Sequence, residues 1–153
     1  MEDTGFLARL NKQLIEDEGS RNPMTEAELE IRMKKLLAEG WRADLILREK
    51  RAIGYALYQL RRDDYDPCAP VVHLRQYCID REERGRGYGR RGVELLMEQR
   101  FPTGSTVEID VLASNSAGQR FWRALGFTPY STAMKLPGRA VDSMGGRGVS
   151  SGR

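Results

Sequence analysis

The stretch from Leu74 to Leu96 constrains this chain more than any other. An apolar run, Val71 to Ile79, predicts a strand, and a charged turn, Asp80 to Glu83, follows it. Next comes a basic glycine-rich segment, Arg84-Gly85-Arg86-Gly87-Tyr88-Gly89, then Val93, Leu96 and Met97 at the i, i+3, i+4 spacing of a helix face. Strand, glycine loop and helix in that order aim several backbone N–H groups at one point, where the helix N-terminus adds roughly half a positive charge. Glycine suits the loop because a Cβ would hold an anion off the backbone and because tight turns often require φ > 0. The stretch reads as a pyrophosphate cradle. It is not a P-loop, since no Gly-Lys-Ser/Thr occurs in the chain. A dinucleotide fingerprint fits poorly: Asp110 stands near the required spacing, but the glycines run G-x-G-x-G and lie mid-chain behind a predicted hairpin.

Arg84, Gly87 and Gly89 instead meet the pattern (Gln/Arg)-x-x-Gly-x-(Gly/Ala). Downstream, Val107, Ile109 and Val111 alternate with Glu108 and Asp110, a strand signature, and lead into Asn115 to Phe127, NSAGQRFWRALGF. In these two blocks, in this order, the chain resembles the GNAT family of N-acetyltransferases, whose second block reads N-x-x-A-x-x-x-Y-x-x-x-G-F. The resemblance implies an α/β fold with a central mixed, twisted sheet of about six strands flanked by about four helices, its parallel strands splayed at the cofactor site. It implies acetyl-CoA as cofactor and acetyl transfer to a primary amine of a small molecule or peptide by direct attack in a ternary complex. A homodimer is compatible with it.

Composition agrees with a globular chain: 153 residues, 40% apolar, net charge +3. No apolar run approaches the roughly 20 residues of a membrane span, and Met1-Glu2-Asp3 does not open a secretory signal, so a cytoplasmic setting is expected. Cys68 and Cys78 lack C-x-x-C spacing and His73 is the single histidine, so no metal site is expected. Phe6, Leu7, Leu10 and Leu14 predict a first helix stopped by Gly19. Thr25 and Glu28 form a capping-box pattern opening a second, along Leu29, Met33, Leu36 and Leu37. Trp41 to Leu47 and Ala52 to Leu60 read as a hairpin around Arg48-Glu-Lys-Arg51. The family usually has a strand before the first helix, for which only a few residues exist here. Ser131 to Leu136 could supply a last short strand. One domain is expected over 1–136, and 137–153, rich in Gly, Ser and Arg, reads as a flexible tail.

The family resemblance also assigns roles. Tyr77, Cys78 and Ile79 match the strand segment that holds the pantetheine arm, with the Tyr77 backbone N–H polarising the thioester. Arg84, Gly85, Arg86, Gly87, Tyr88, Gly89 and Arg90 fall to the pyrophosphate, and Asn115, Gly118, Phe121 and Trp122 to the cofactor wall of the following helix. His73, four residues before Tyr77, occupies a position where family members carry a general base. Strand period two puts His73, Arg75 and Tyr77 on one face, and an imidazole titrates near neutral pH. Trp122 stands where the family usually has the tyrosine that protonates the leaving thiolate, and an indole is no acid near neutral pH. Tyr130 is the nearest replacement acid. Gly118 replaces the usual alanine and leaves room beside the pantetheine. Glu16, Asp17 and Glu18, with Asn22 in the segment joining the first two helices, are candidates to attract a cationic amine.

Two other functions compete. A non-catalytic acyl-CoA-binding module of the same fold would account for Trp122. A nucleic-acid binder could use Arg81, Arg84, Arg86, Arg90 and Arg91 on phosphates, but Tyr88 is the sole stacking aromatic in that run, so no nucleic-acid partner is expected.

Overall fold

The structure, a computed structural model, describes residues 3–139. Helix α1, Thr4–Glu18, starts where the Asp3 carboxylate accepts from the Phe6 N–H and stops at Gly19, whose φ of 68° closes the last turn. Helix α2, Glu26–Ala38, opens on the expected Thr25–Glu28 capping box. Strands β1, Arg42–Arg48, and β2, Arg51–Arg62, form a hairpin whose two-residue turn puts Glu49 and Lys50 at positive φ. Strand β3, Pro70–Ile79, is followed by a single 3-10 turn, Arg81–Glu83, then helix α3, Tyr88–Gln99. Strand β4, Thr106–Ile109, and helix α4, Ser116–Ala124, complete the elements.

The sheet order is β1-β2-β3-β4, antiparallel except for the parallel pair β3–β4. Helices α1 and α2 cover one face, where Leu7, Leu10, Met33 and Leu36 meet Tyr55, Leu57 and Cys78. The other face carries α3 and α4, with Val93, Leu96 and Trp122 against Tyr58, Val72, Leu74, Tyr77 and Ile79. Burying both faces of the middle strands explains why β2 and β3 read as near-continuous apolar runs.

Two irregularities in β3 shape everything downstream. Pairing with β4 covers only Val71 to Leu74 against Thr106 to Ile109, and beyond Leu74 the two strands part. On the other edge the register with β2 slips, Leu57 opposing Gln76 and Tyr58 opposing Leu74, so Arg75 is the extra residue of a β-bulge. A bulge resets the alternation. Val72 and Leu74 face α3 and α4, and three residues after Leu74 so does Tyr77. His73 packs instead against Trp41, on the α1–α2 side with Cys78. The expectation that His73 and Tyr77 share a face is therefore corrected: uniform period two does not survive the extra residue.

The sheet has four strands among the described residues, not about six. Among the described residues no strand precedes helix α1, which begins at Thr4. Ser131 to Leu136 forms none either: Met134 and Leu136 are 90% and 96% exposed, and the segment pairs with no strand. Alternation alone does not make a strand where no edge receives it. Residues 140–153 of the expected tail lie outside the described residues. Among the described residues no helix is long and apolar enough to cross a membrane.

Candidate active site

Where β3 leaves β4 a cleft of about 480 Å³ opens. Its strand walls are Arg75 to Ile79 and Ile109 to Val111. On one side it reaches Leu14, Asp17 and Glu18 of α1, and on the other Gly89 of α3 and Gly118, Phe121 and Trp122 of α4. It thus passes through the sheet from one helical layer to the other. Strand residues beyond Leu74 have no β4 partner on this side. Unpaired strand backbone beside a cavity is a template for an extended ligand.

At the α3 end the cleft meets the glycine loop. Gly85 and Gly87 sit at φ 79° and 81°, and an ideal Cβ on either would project into open space. Among the described residues the N–H groups from Gly85 to Arg90 have no protein acceptor, the first bond of α3 being Arg91 N–H to Gly87 O. Six consecutive donors at a helix N-terminus, in glycine-enforced geometry, fit a pyrophosphate. The arginine side chains of this loop pair with neighbouring acids. Arg84 turns back: its Nε donates to Ile79 O at 2.8 Å and its guanidinium pairs with Asp17. Arg86 leans on Glu83 at 3.5 Å, and Arg90 on Glu94 at 3.3 Å. Glu83, buried, also takes Arg48 at 3.2 Å and Arg51, so one carboxylate fixes three arginines beside the cradle. Arg48 in turn lies 5.3 Å over the Tyr88 ring. Nothing in the sequence singled out Glu83 except its place in a charged turn.

The α3–α4 wall is aromatic. Tyr77 packs edge-on to Trp122 at 5.6 Å and parallel to Phe121 at 6.3 Å, while Trp122 also meets Phe127 at 5.1 Å. The Tyr77 hydroxyl donates to Gly89 O at 2.6 Å, and burial raises its pKa. Gly92 makes that reach feasible, because a Cβ there would stand 2.3 Å from the hydroxyl. Asn115 caps α4, its Oδ1 accepting from the Gly118 N–H at 2.9 Å. A Cβ on Gly118 would fall 2.3 Å from the Asn115 amide. Gly118 therefore makes room for its own cap; the space beside it belongs to Asn115.

The three acidic residues ending α1 divide. Arg81 binds Glu16 at 2.7 Å and Asp17 at 3.0 Å, and Arg84 also takes Asp17. Burial alone would raise the Asp17 carboxyl, but the hydrogen bonds and charges of Arg84 and Arg81 outweigh it and hold it below its usual range. Among the described residues Glu18 lines the cleft with no arginine partner; burial and then the charge of Asp17 push its carboxyl up. Its backbone carbonyl accepts from Ser114 Oγ at 3.3 Å, tying the end of α1 to the loop before α4.

Other expected site residues stand apart. His73 is not on the cleft lining: its Nδ1 is buried without a hydrogen bond, 3.8 Å from Glu108, and its Nε2 lies 3.9 Å from Asp110. Tyr130 is 90% exposed and does not enter the cleft. Asn22 Oδ1 accepts from the Met24 N–H at 2.9 Å, shaping the α1–α2 connection rather than the cleft. Cys78 lines the cleft with a thiol that burial pushes up to about 11, a poor nucleophile. Leu14 and Gln76 line it too, and no functional motif had marked them; Asp110 and Val111 line it just beyond β4.

Solved structures of similar fold include a mutant form of the BH1408 protein from Bacillus halodurans, 22% identical with a TM-score of 0.67 over 85% of this chain and 90% of that one. The aminoglycoside N-acetyltransferase AAC(6')-Iy in complex with CoA is 20% identical, TM-score 0.65, over 90% of this chain and 89% of that one. Glucosamine-6-phosphate N-acetyltransferase from Arabidopsis thaliana is 18% identical, TM-score 0.59, over 90% and 94%. At these identities the likeness shows the fold. No curated protein matches the chain. The family model of the acetyltransferase (GNAT) family, however, matches residues 10–127. With the cradle, the splayed strands and the capped α4 all inside that span, the chain belongs to the acetyltransferase (GNAT) family.

Proposed function

We propose that this protein is an acetyl-CoA-dependent N-acetyltransferase that acts on a primary amine of a small molecule or peptide, by direct attack in a ternary complex. The observation that carries the reading is the through-sheet cleft with six free N–H donors at one end and an unpaired carboxylate, Glu18, at the other. The loop from Gly85 to Arg90 would hold the pyrophosphate, and the strand segment Tyr77 to Ile79 the pantetheine arm. Bound there, acetyl-CoA supplies an acetyl group already activated as a thioester. The Tyr77 backbone N–H is the donor we assign to the thioester oxygen, a preorganised dipole of the kind that stabilises developing oxyanions. Trp122 and Phe121 exclude water from this wall.

The amine must lose a proton. Glu18 is on the α1 side of the cleft, unpaired, and raised by burial, which makes it a better base than an ordinary surface carboxylate. We assign the proton to Glu18, with His73 the competing candidate on the same side of the sheet. The names of two solved neighbours, an aminoglycoside and a glucosamine-phosphate acetyltransferase, both concern amines on polar scaffolds, which agrees with a polar cleft mouth.

A specific feature favours the second reading, an acyl-CoA-binding module: Trp122 cannot protonate a leaving thiolate. A coenzyme A thiol titrates near enough to neutrality to leave unassisted. Calorimetry with acetyl-CoA, followed by thiol release across a panel of amines, tests both. Saturable binding with amine-dependent thiol release is expected. Binding without release from any amine would leave only the second reading, and absence of binding would overturn both.

A further inference from the structure

The mouth of the cleft on the α1–α2 side carries a cationic group that nothing in the acetyl-transfer scheme uses. Arg75, the bulged residue of β3, lines the cleft, and its guanidinium lies 5.1 Å over the Trp41 ring. Arg61 lies over the same ring at 5.6 Å. Arg75 has no hydrogen-bond or ion-pair partner among the described residues; burial and the nearby charge of Arg32 lower its pKa. Glu39, the carboxylate acting on it from a distance, is paired with Lys35 at 3.8 Å. The contrast with the cradle side is sharp. There Arg48, Arg51 and Arg86 share Glu83, and Arg81 and Arg84 share Asp17. Arg75 is itself exposed, so its free guanidinium is open to an anion from solvent. The bulge takes Arg75 out of the regular alternation of β3.

Glu18, which has no cation partner among the described residues, lines the same cleft from α1. One wall thus offers a negative group and the other a planar guanidinium, which matches oxyanions bidentately. We propose that the acceptor is an amine that also carries an anionic group, a carboxylate or a phosphate, with its amine directed to Glu18 and its anion held by Arg75. This rests on the acetyltransferase reading and narrows it to a substrate class. Arg75 acts here in specificity, binding the acceptor's anion alike before and during acetyl transfer.

The test uses matched amines that differ only in the anion: propylamine against β-alanine, and ethanolamine against O-phosphoethanolamine. The wild-type protein with acetyl-CoA should show kcat/KM at least tenfold higher for an anionic member than for its neutral partner, carried by KM, since only uniform binding changes. Which pair shows the larger ratio identifies carboxylate or phosphate. In Arg75→Gln the ratio should collapse toward one, and Arg75→Lys should restore part of it. Equal or inverted ratios in the wild type, or a ratio that survives Arg75→Gln, overturn the proposal while leaving acetyl transfer itself intact. Should no amine be acetylated, an NMR titration of the same pairs against the acetyl-CoA-loaded protein decides. Preferential binding of the anionic member that is lost in Arg75→Gln supports the proposal, and equal binding refutes it.

Discussion

At the scale of single residues, the most exposed prediction concerns Gly87. Its φ of 81° and the open space before it mean that a valine there both strains the loop and fills the volume next to the N–H donors. Gly87→Val should weaken acetyl-CoA binding at least tenfold, about 1.4 kcal/mol by calorimetry, with circular dichroism unchanged. Wild-type affinity in a folded variant would remove the cradle. Glu18→Gln separates the two base candidates. If Glu18 takes the proton, kcat should fall by roughly 10²- to 10⁴-fold and the ascending limb of the pH–rate profile should vanish, while His73→Ala keeps that limb. The reverse pattern would move the role to His73. Glu18→Gln carries a second signature. A carboxyl whose pKa is raised on folding stabilises below its unfolded pKa and loses that stability as pH rises through the folded value. The variant should therefore gain thermal stability near neutral pH and lose the gain in acid. Sequence alone could not make this choice, because Glu16, Asp17 and Glu18 are chemically alike; only the fold shows that Arg81 and Arg84 claim the first two.

At the scale of elements, what could be read beforehand was local. The caps at Thr25 and Gly19, the hairpin turn and the order of strand, cradle and helix all follow from residues within a few positions of each other. Two things depend on partners distant in sequence and were illegible: the bulge at Arg75, set by the register against β2, and the failure of Ser131–Leu136 to pair. The bulge is why His73 and Tyr77 part company. Packing of α3 on β3 gives a further test. Gly92→Ala would place a methyl 2.3 Å from the Tyr77 hydroxyl, so the tyrosine must leave Gly89 or the helix must shift. A loss of about 1–3 kcal/mol in denaturant unfolding is expected from such overpacking, and Gly92→Ala with Tyr77→Phe should recover part of it. Helix α4 raises the leaving-group question. Trp122→Tyr puts a phenol on the cleft wall; where chemistry limits turnover, kcat should rise, most at low pH. Tyr130→Phe serves as the comparison, and a fall in kcat there would show that the exposed Tyr130 reaches the site in solution.

For the whole molecule, the joints between α1 and the turn after β3 are ionic. Arg9 meets Asp80 at 3.3 Å, Arg81 meets Glu16 and Asp17, and Arg84 meets Asp17. Asp80 and Asp17 are both held below their usual range; in each, burial pulls upward and hydrogen bonds with arginine charge overcome it. Groups depressed in this way stabilise above their unfolded pKa and lose that contribution as pH falls through the folded value. Thermal stability should decline on acidification below the ordinary aspartate range, and Asp17→Asn should flatten the decline. The pairs are partly exposed, so high salt should shrink the difference between the two proteins.

A cleft that pierces the sheet has a front door and a back door. If the cofactor enters from the α3–α4 layer and the amine from the α1–α2 layer, neither blocks the other's entrance, and no obligatory sequence of arrival is built into the walls. Steady-state kinetics would then be sequential with intersecting double-reciprocal lines, free coenzyme A competing with acetyl-CoA but not with the amine. Competition between free coenzyme A and the amine would mean that both pass through a single entrance.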